Sequence, residues 1–289
     1  MKINVHPMVV AQKAILDLPV SERHAATLQM LAPFDHVIKV MTPPGADPVT
    51  LFNLMRPDGP ADAYRDALDL LEQAGAEATC KEALDRAASA IAATGYTPPI
   101  PAIAFGLFLM DTNPMMMKFS PGYTGFGGIP GAIMVNIWPD ERNLPKLGPC
   151  TAHEFNHNIR NTVEVWRMDI SVGEYVVMEG LAEAFAAELY GPDAVGPWVS
   201  EVKGEDLAKA RAVVGKALEV RGFNEVRPYI FGDEVMGAWA GQEPKGVPAY
   251  AGYATGFHTV QAYCRKTGKS VAEATLVPSA EILRVADWF

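Results

Sequence analysis

The run His153-Glu154-Phe155-Asn156-His157 constrains this chain more than any other, because its two histidines can act together only if the backbone around them is helical. Residues four apart on a helix lie on one face, one turn apart, so both imidazoles can converge on a single metal ion. Glu154 sits beside the first of them, where a carboxylate can take a proton from water without itself being a ligand. The flanks agree with a helix. Gly148-Pro149 followed by Thr151 reads as a loop breaking into a helix start, and Ile159, Val163 and Trp166 continue an apolar face beyond His157. The competing reading is a helix whose histidines only pack or face water.

A catalytic zinc site ordinarily uses three protein ligands and leaves a position open. One segment offers the third. Val176 to Tyr190 is rich in helix formers and stops at Gly191-Pro192. Val177, Leu181, Ala184, Phe185 and Leu189 mark it as largely buried, yet Glu179 and Glu183 share a face one turn apart, and buried carboxylates need a partner. We therefore expect Glu179 to be the third ligand of one Zn2+ ion. Glu183 is expected to accept a hydrogen bond from the free ring nitrogen of a ligating histidine, fixing its tautomer. Glu188 reads as part of a solvated face. Cys150, one helical turn before His153, is a weaker candidate ligand than Glu179.

Residues 8 to 41 and 59 to 95 read as helical, the second stretch with Tyr64, Ala67, Leu68, Leu71 and Ala74 on one side and a break at Gly75. Thr97-Pro98-Pro99-Ile100-Pro101 is a stiff linker, after which short apolar runs alternate with Gly and Pro. The boundary is placed there: a mainly helical region over 1–98 and a metal-binding domain over 99–289. Ala102–Leu109 and Gly131–Trp138 are the best strand candidates. Between them, Gly125-Phe126-Gly127-Gly128 permits close backbone approach, but no Gly-Lys-Ser/Thr follows and a strand separates it from the next helix, so phosphate binding is rejected. Gly268-Lys269-Ser270 lacks the upstream glycine of a phosphate loop. Met115-Met116-Met117 reads as adaptable packing, since thioethers are soft ligands and zinc prefers nitrogen, oxygen and thiolate.

The pair His-Glu-x-x-His and Glu179-Gly180-Leu181-Ala182-Glu183-Ala184-Phe185-Ala186 resembles the gluzincin metallopeptidases, in which a glutamate opening a Glu-Gly-x-Ala helix is the third ligand. With Gly252-Tyr253-Ala254-Thr255-Gly256-Phe257 and Lys266-Thr267-Gly268-Lys269-Ser270, these segments resemble the YjaZ-type family of predicted Zn-dependent proteases over roughly the last two thirds of the chain. The resemblance implies an α+β, zincin-like fold: a small mixed sheet, an active-site helix and a mainly helical C-terminal part. It also implies that strand 131–138 is the sheet edge along which an extended peptide lies. Amide hydrolysis needs a donor to the developing oxyanion. Tyr250, Tyr253 and His258 cluster in Pro248 to Gln261, a glycine-rich entry into a C-terminal helix, and the matching family segment makes Tyr253 the first choice and His258 the second, against a packed, structural role for each. Arg160 is read as pairing with an active-site carboxylate or as a surface residue.

The expected mechanism is that zinc on His153, His157 and Glu179 acidifies a water molecule, while Glu154 takes its proton and later delivers it to the leaving amine. Peptide or protein is the expected substrate. A small non-peptide amide or ester is the alternative, and a non-catalytic metal-bound sensor a third reading, against which the presence of Glu154 counts. Composition bounds the rest. At 289 residues with 49% hydrophobic content the chain can bury a sizeable core. A formal charge of −10 without a basic run argues against nucleic acid or an anionic membrane as partner. Met1 to Pro7 has no apolar signal core, and three widely spaced cysteines suit a reducing compartment, so a cytoplasmic protein is expected. Oligomeric state is not readable from the chain.

Overall fold

Four short segments pair into one sheet: β1 (Lys2–His6), β2 (Ala102–Leu109), β3 (Tyr123–Phe126) and β4 (Ala132–Ile137), in the order β1-β2-β4-β3. They belong to a computed structural model that describes residues 1–112 and 122–289. β1, β2 and β4 run parallel, with Ile3 opposite Ile103 and Ala104 opposite Ala132. β3 is antiparallel to β4, with Gly125 opposite Val135. The fold is thus α+β with a small mixed sheet, as expected. β4 is buried at every position, which fits a strand paired on both sides. The expectation that strand 131–138 forms the edge is therefore corrected: β3 lies beyond it and is the edge on that side of the described sheet, with β1 at the other edge.

The chain condenses into two compact units, Met1–Arg86 with Pro98–Glu154, and Ala87–Thr97 with Phe155–Phe289. The expected regions 1–98 and 99–289 are not these units, because β1 pairs with β2 across the proposed boundary. In the first unit the helices are α1 (Met8–Leu16), α2 (Val20–Met30), α3 (Asp35–Met41), α4 (Pro48–Leu51), α5 (Ala61–Gln73) and the first part of α6 (Ala76–Ala93). Phe34, Val37, Phe108 and Met134 form part of its core. Buried Gln12 of α1 donates to the Leu107 carbonyl and accepts from the Leu109 N–H, tying helix to strand. α5 buries Tyr64, Ala67, Leu68 and Leu71, as its periodicity predicts, while Ala74 is the exposed C-cap residue and Gly75, at φ +62°, makes the break. The Met115-Met116-Met117 run lies outside the described residues.

α7 (Leu147–Val163) carries the His-Glu-x-x-His run. It begins earlier than its sequence suggests, with Gly148 and Pro149 inside the first turn, where a missing N–H costs nothing. It also ends before Trp166, which packs edge-on against Phe223 from the following loop. In the second unit α8 (Val172–Tyr190) starts at a capping box, Ser171 accepting from the Glu174 N–H and Glu174 accepting from the Ser171 N–H. It is buried nearly all round, including Val176, Val177, Leu181, Ala184 and Phe185. Around it lie α9 (Pro197–Ser200), α10 (Gly204–Ala217), α11 (Phe223–Phe231), α12 (Asp233–Ala240), α13 (Ala251–Thr267), α14 (Val271–Ala274) and α15 (Ser279–Ala286). α8 and α13 cross backbone to backbone at Gly180 and Gly256: a Cβ on Gly256 would fall 2.0 Å from the Val176 carbonyl oxygen. Among the described residues, no helix is long and apolar enough to cross a membrane.

Candidate metal centre

α7 presents His153 and His157 one turn apart, and α8 presents Glu179. Each of the three offers one ligand atom, and those atoms all lie within 4.8 Å of one another. His157 Nε2 and Glu179 Oε2 are 3.2 Å apart. All three residues are buried. Two imidazole nitrogens and a carboxylate oxygen are the donor set zinc accepts, and three protein ligands leave one position for water or substrate. The residues therefore fit one zinc ion. Cys150, half-buried at the start of α7, is not in the group. The other thiols are unsuited to such work: burial pushes Cys80 up to about 12, and burial followed by the nearby Glu188 pushes Cys264 up to about 11. One turn before Glu179, the phenol of Tyr175 is raised strongly by burial and further by the Glu179 carboxylate.

Glu154 has a packing partner that its sequence position does not reveal. A Cβ added to Gly125 would lie 2.4 Å from Glu154 Cγ and 2.5 Å from its Oε1, and one added to Gly127 would lie 2.0 Å from the Glu154 carbonyl oxygen. The glycine-rich stretch, read from sequence only as a rejected phosphate loop, is where the first unit gives α7 room to approach β3. The signal was present: Gly125 in β3 and Gly127 just after it are two positions apart, and in extended chain such a pair leaves one face bare.

Both Glu183 oxygens hold the turn that follows α8. Oε2 accepts from the Gly196 N–H at 2.9 Å, and Oε1 from the Trp198 indole N–H at 2.6 Å. The sequence offered no clue to this bond to residue 198. Glu188 does more than face solvent, since its carboxylate accepts from the N–H groups of Val271 at 2.6 Å and Ala272 at 3.4 Å, at the start of α14. Arg160 is corrected most sharply. It is a buried residue, donating to the carbonyls of Thr275 and Val277, to Ser279 Oγ and to Glu164, so it ties α7 to the C-terminal segment of the second unit.

The two oxyanion candidates are both on α13 and have different surroundings. Tyr253 stands one turn before the Gly256 crossing, with its ring 5.9 Å from Trp198, 6.2 Å from Phe231 and 6.0 Å from Tyr250. His258 stacks on Trp288 at 5.8 Å, and burial, then the Arg265 charge, lower its pKa. The structure does not bring His258 into the His/His/Glu group.

A small mixed sheet, a helix bearing two histidines and a second bearing a carboxylate define an α+β protein able to hold one metal ion. The chain belongs to the family described as predicted Zn-dependent protease (DUF2268), whose model matches residues 76–284. It is also similar to the uncharacterized protein YjfC of Bacillus subtilis (strain 168), at 38% identity over 224 residues covering 77% of this chain and 74% of that protein. No solved structure matches it.

Proposed function

We propose that the protein is a zinc-dependent peptidase that cleaves peptide bonds with Glu154 as general base. The observation that supports this best is the convergence of His153, His157 and Glu179, with Glu154 next to the first ligand and seated against Gly125. Zinc in that group would supply Lewis acidity, polarising the scissile carbonyl and acidifying the attacking water. His153, His157 and Glu179 would hold the ion. A Glu154 carboxylate oxygen accepts the proton of the water as it adds to the carbonyl, and the same carboxyl then hands that proton to the departing amine. Gly125 and Gly127 keep that carboxylate close to β3, so an extended substrate aligned with the edge strand presents its backbone beside the base. Tyr253 is the proposed donor to the oxyanion, because α13 crosses the Glu179 helix one turn away from it. Cys80, Cys150 and Cys264 are thiols and not disulfides, which accords with a reducing compartment, and we place the protein in the cytoplasm.

Metal analysis and peptide-library digestion of the purified protein test the reading. The expected result is one zinc per chain and cleaved peptides for the wild type. Glu154→Gln keeps the zinc and loses about 10²- to 10⁴-fold in rate, and Glu179→Ala loses the zinc. A wild type without metal, or a Glu154→Gln variant as fast as the wild type, refutes it.

A further inference from the structure

We propose that Arg227 binds a carboxylate of the substrate, either the C-terminal one or that of an aspartate or glutamate side chain, within a few residues of the scissile bond. The inference rests on the peptidase reading of the site and adds to it a substrate class.

Arg227 stands in the middle of a stripe on α11. Phe223, Arg227 and Phe231 are spaced four apart and share one face of that helix, and the guanidinium carbon lies 5.4 Å from the centre of the first ring and 6.0 Å from that of the second. A cation attracted to two rings is held in place, so it gives up little further freedom when an anion arrives. What it lacks is an acceptor. Its Nε is buried without a hydrogen-bond partner, and among the described residues no carboxylate pairs with it, although the chain has 34 acidic residues against 24 lysines and arginines. Leaving a buried donor unmatched is costly, and the other arginines nearby are not left so. Arg160 donates to Thr275, Val277, Ser279 and Glu164, and Arg221 to Glu174 and the Asp169 carbonyl. The Arg227 side chain is only half-buried, so its charge is neither lost to solvent nor sealed from a ligand. A planar guanidinium takes a carboxylate through two parallel N–H···O bonds.

The same stripe faces the stretch of α8 that carries Glu179. Phe223 and Phe231 pack on the cluster of Tyr175, Val176, Val226 and Ile230, as does Met178, the residue before Glu179. The Phe231 ring is 6.3 Å from that of Tyr175, and Tyr175 precedes Glu179 by one turn, about 6 Å between side-chain origins. Electrostatics gives the same neighbourhood: after burial, the Glu179 carboxylate pushes the Tyr175 phenol up and the Arg227 charge pulls it down, so both ionised groups act on one hydroxyl. An extended peptide advances about 3.3 Å per residue. A carboxylate a few residues from the bond that is cut therefore reaches the guanidinium.

The test uses full-length, zinc-loaded Glu154→Gln protein and an N-acetylated alanine–serine decapeptide: amidated at its C-terminus, with a free C-terminal carboxylate, or amidated with one glutamate placed at each position in turn. Binding is followed by calorimetry. The free acid or the best-placed glutamate is expected to bind about tenfold or more tightly than the amidated parent, the usual worth of hydrogen bonds to a charged group. A gain confined to the free acid identifies the terminal carboxylate, and one confined to glutamate identifies a side chain. Arg227→Gln in the same background brings the ratio close to one. Arg227→Lys, which keeps the charge but not the planar fork, keeps part of the gain and shows that the loss is one of charge and not of folding. No gain from a carboxylate in either form, or a gain that survives Arg227→Gln, overturns the proposal. The wild type on the same panel separates the two readings. Cleavage that ignores carboxylates refutes the role of Arg227 and leaves the peptidase, while Arg227-dependent binding without cleavage upholds the carboxylate contact and refutes the peptidase.

Discussion

Glu154 illustrates how a single residue is both plain in the sequence and incompletely described by it. Its place beside His153 gives the carboxylate its chemistry, but what holds the side chain is the missing Cβ of Gly125, whose added methyl would fall 2.4 Å from Glu154 Cγ. On the peptidase reading, Gly125→Ala should therefore displace the proposed base while leaving His153, His157 and Glu179 untouched. We expect zinc to stay bound and kcat to fall about 10²-fold, the usual effect of a displacement on the order of 1 Å. Steady-state kinetics with metal analysis checks this, and wild-type kcat in the variant would show that the side chain simply moves aside. Arg160 teaches the opposite lesson. A lone arginine one turn past a histidine of the candidate metal group suggests active-site pairing, yet its donors go to Thr275, Val277, Ser279 and Glu164, partners that include residues more than a hundred positions away in the chain.

At the scale of elements, α8 is the member the sequence describes best. Its apolar residues, its end at Gly191 and its two inward carboxylates are all visible as periodicity and punctuation. Which helix lies across it is not, because small residues mark a close approach without naming the partner. The partner is α13, and the contact is between backbones, with a Gly256 Cβ only 2.0 Å from the Val176 oxygen. Gly256→Ala cannot be absorbed by a side-chain rotation. It should cost about 3 kcal/mol, at the upper end for overpacking, and lower the melting temperature by about 6–12 °C. Thermal unfolding followed by circular dichroism measures it, and a melting point within about 2 °C of wild type would show that the crossing can open. β3 and β4 complete the lesson at this scale. β4 was readable as a buried apolar run, but its neighbour β3 is four residues long and contains a glycine, so the strand that takes the edge was read as loop.

For the whole molecule, the division after residue 98 suggested by the proline-rich linker cuts through a compact unit. β1 pairs in parallel with β2, Gln12 bonds β2 at Leu107 and Leu109, and Phe34 packs edge-on against Phe108 at 5.6 Å, all across that division. A fragment comprising residues 99–289 loses a sheet partner and the helices that cover the first unit's core. Expressed alone, it should lack a cooperative thermal transition, and adding residues 1–98 in trans should restore one. Cooperative melting of the isolated fragment would show that the first 98 residues are dispensable for folding.

The grouping of His153, His157 and Glu179, the helices that carry them, the family and the α+β class could all be read from the chain, because these depend on spacing within an element and on the chemistry of side chains a few positions apart. Tertiary structure alone decided that β3 and not β4 is the edge strand, that Glu183 engages Trp198, that Arg160 is an internal tie and that the first strand belongs with the second. Each of these is a pairing between distant segments, and distance along a chain carries no trace of which surfaces will meet once hydrophobic burial and backbone hydrogen bonding have chosen the topology.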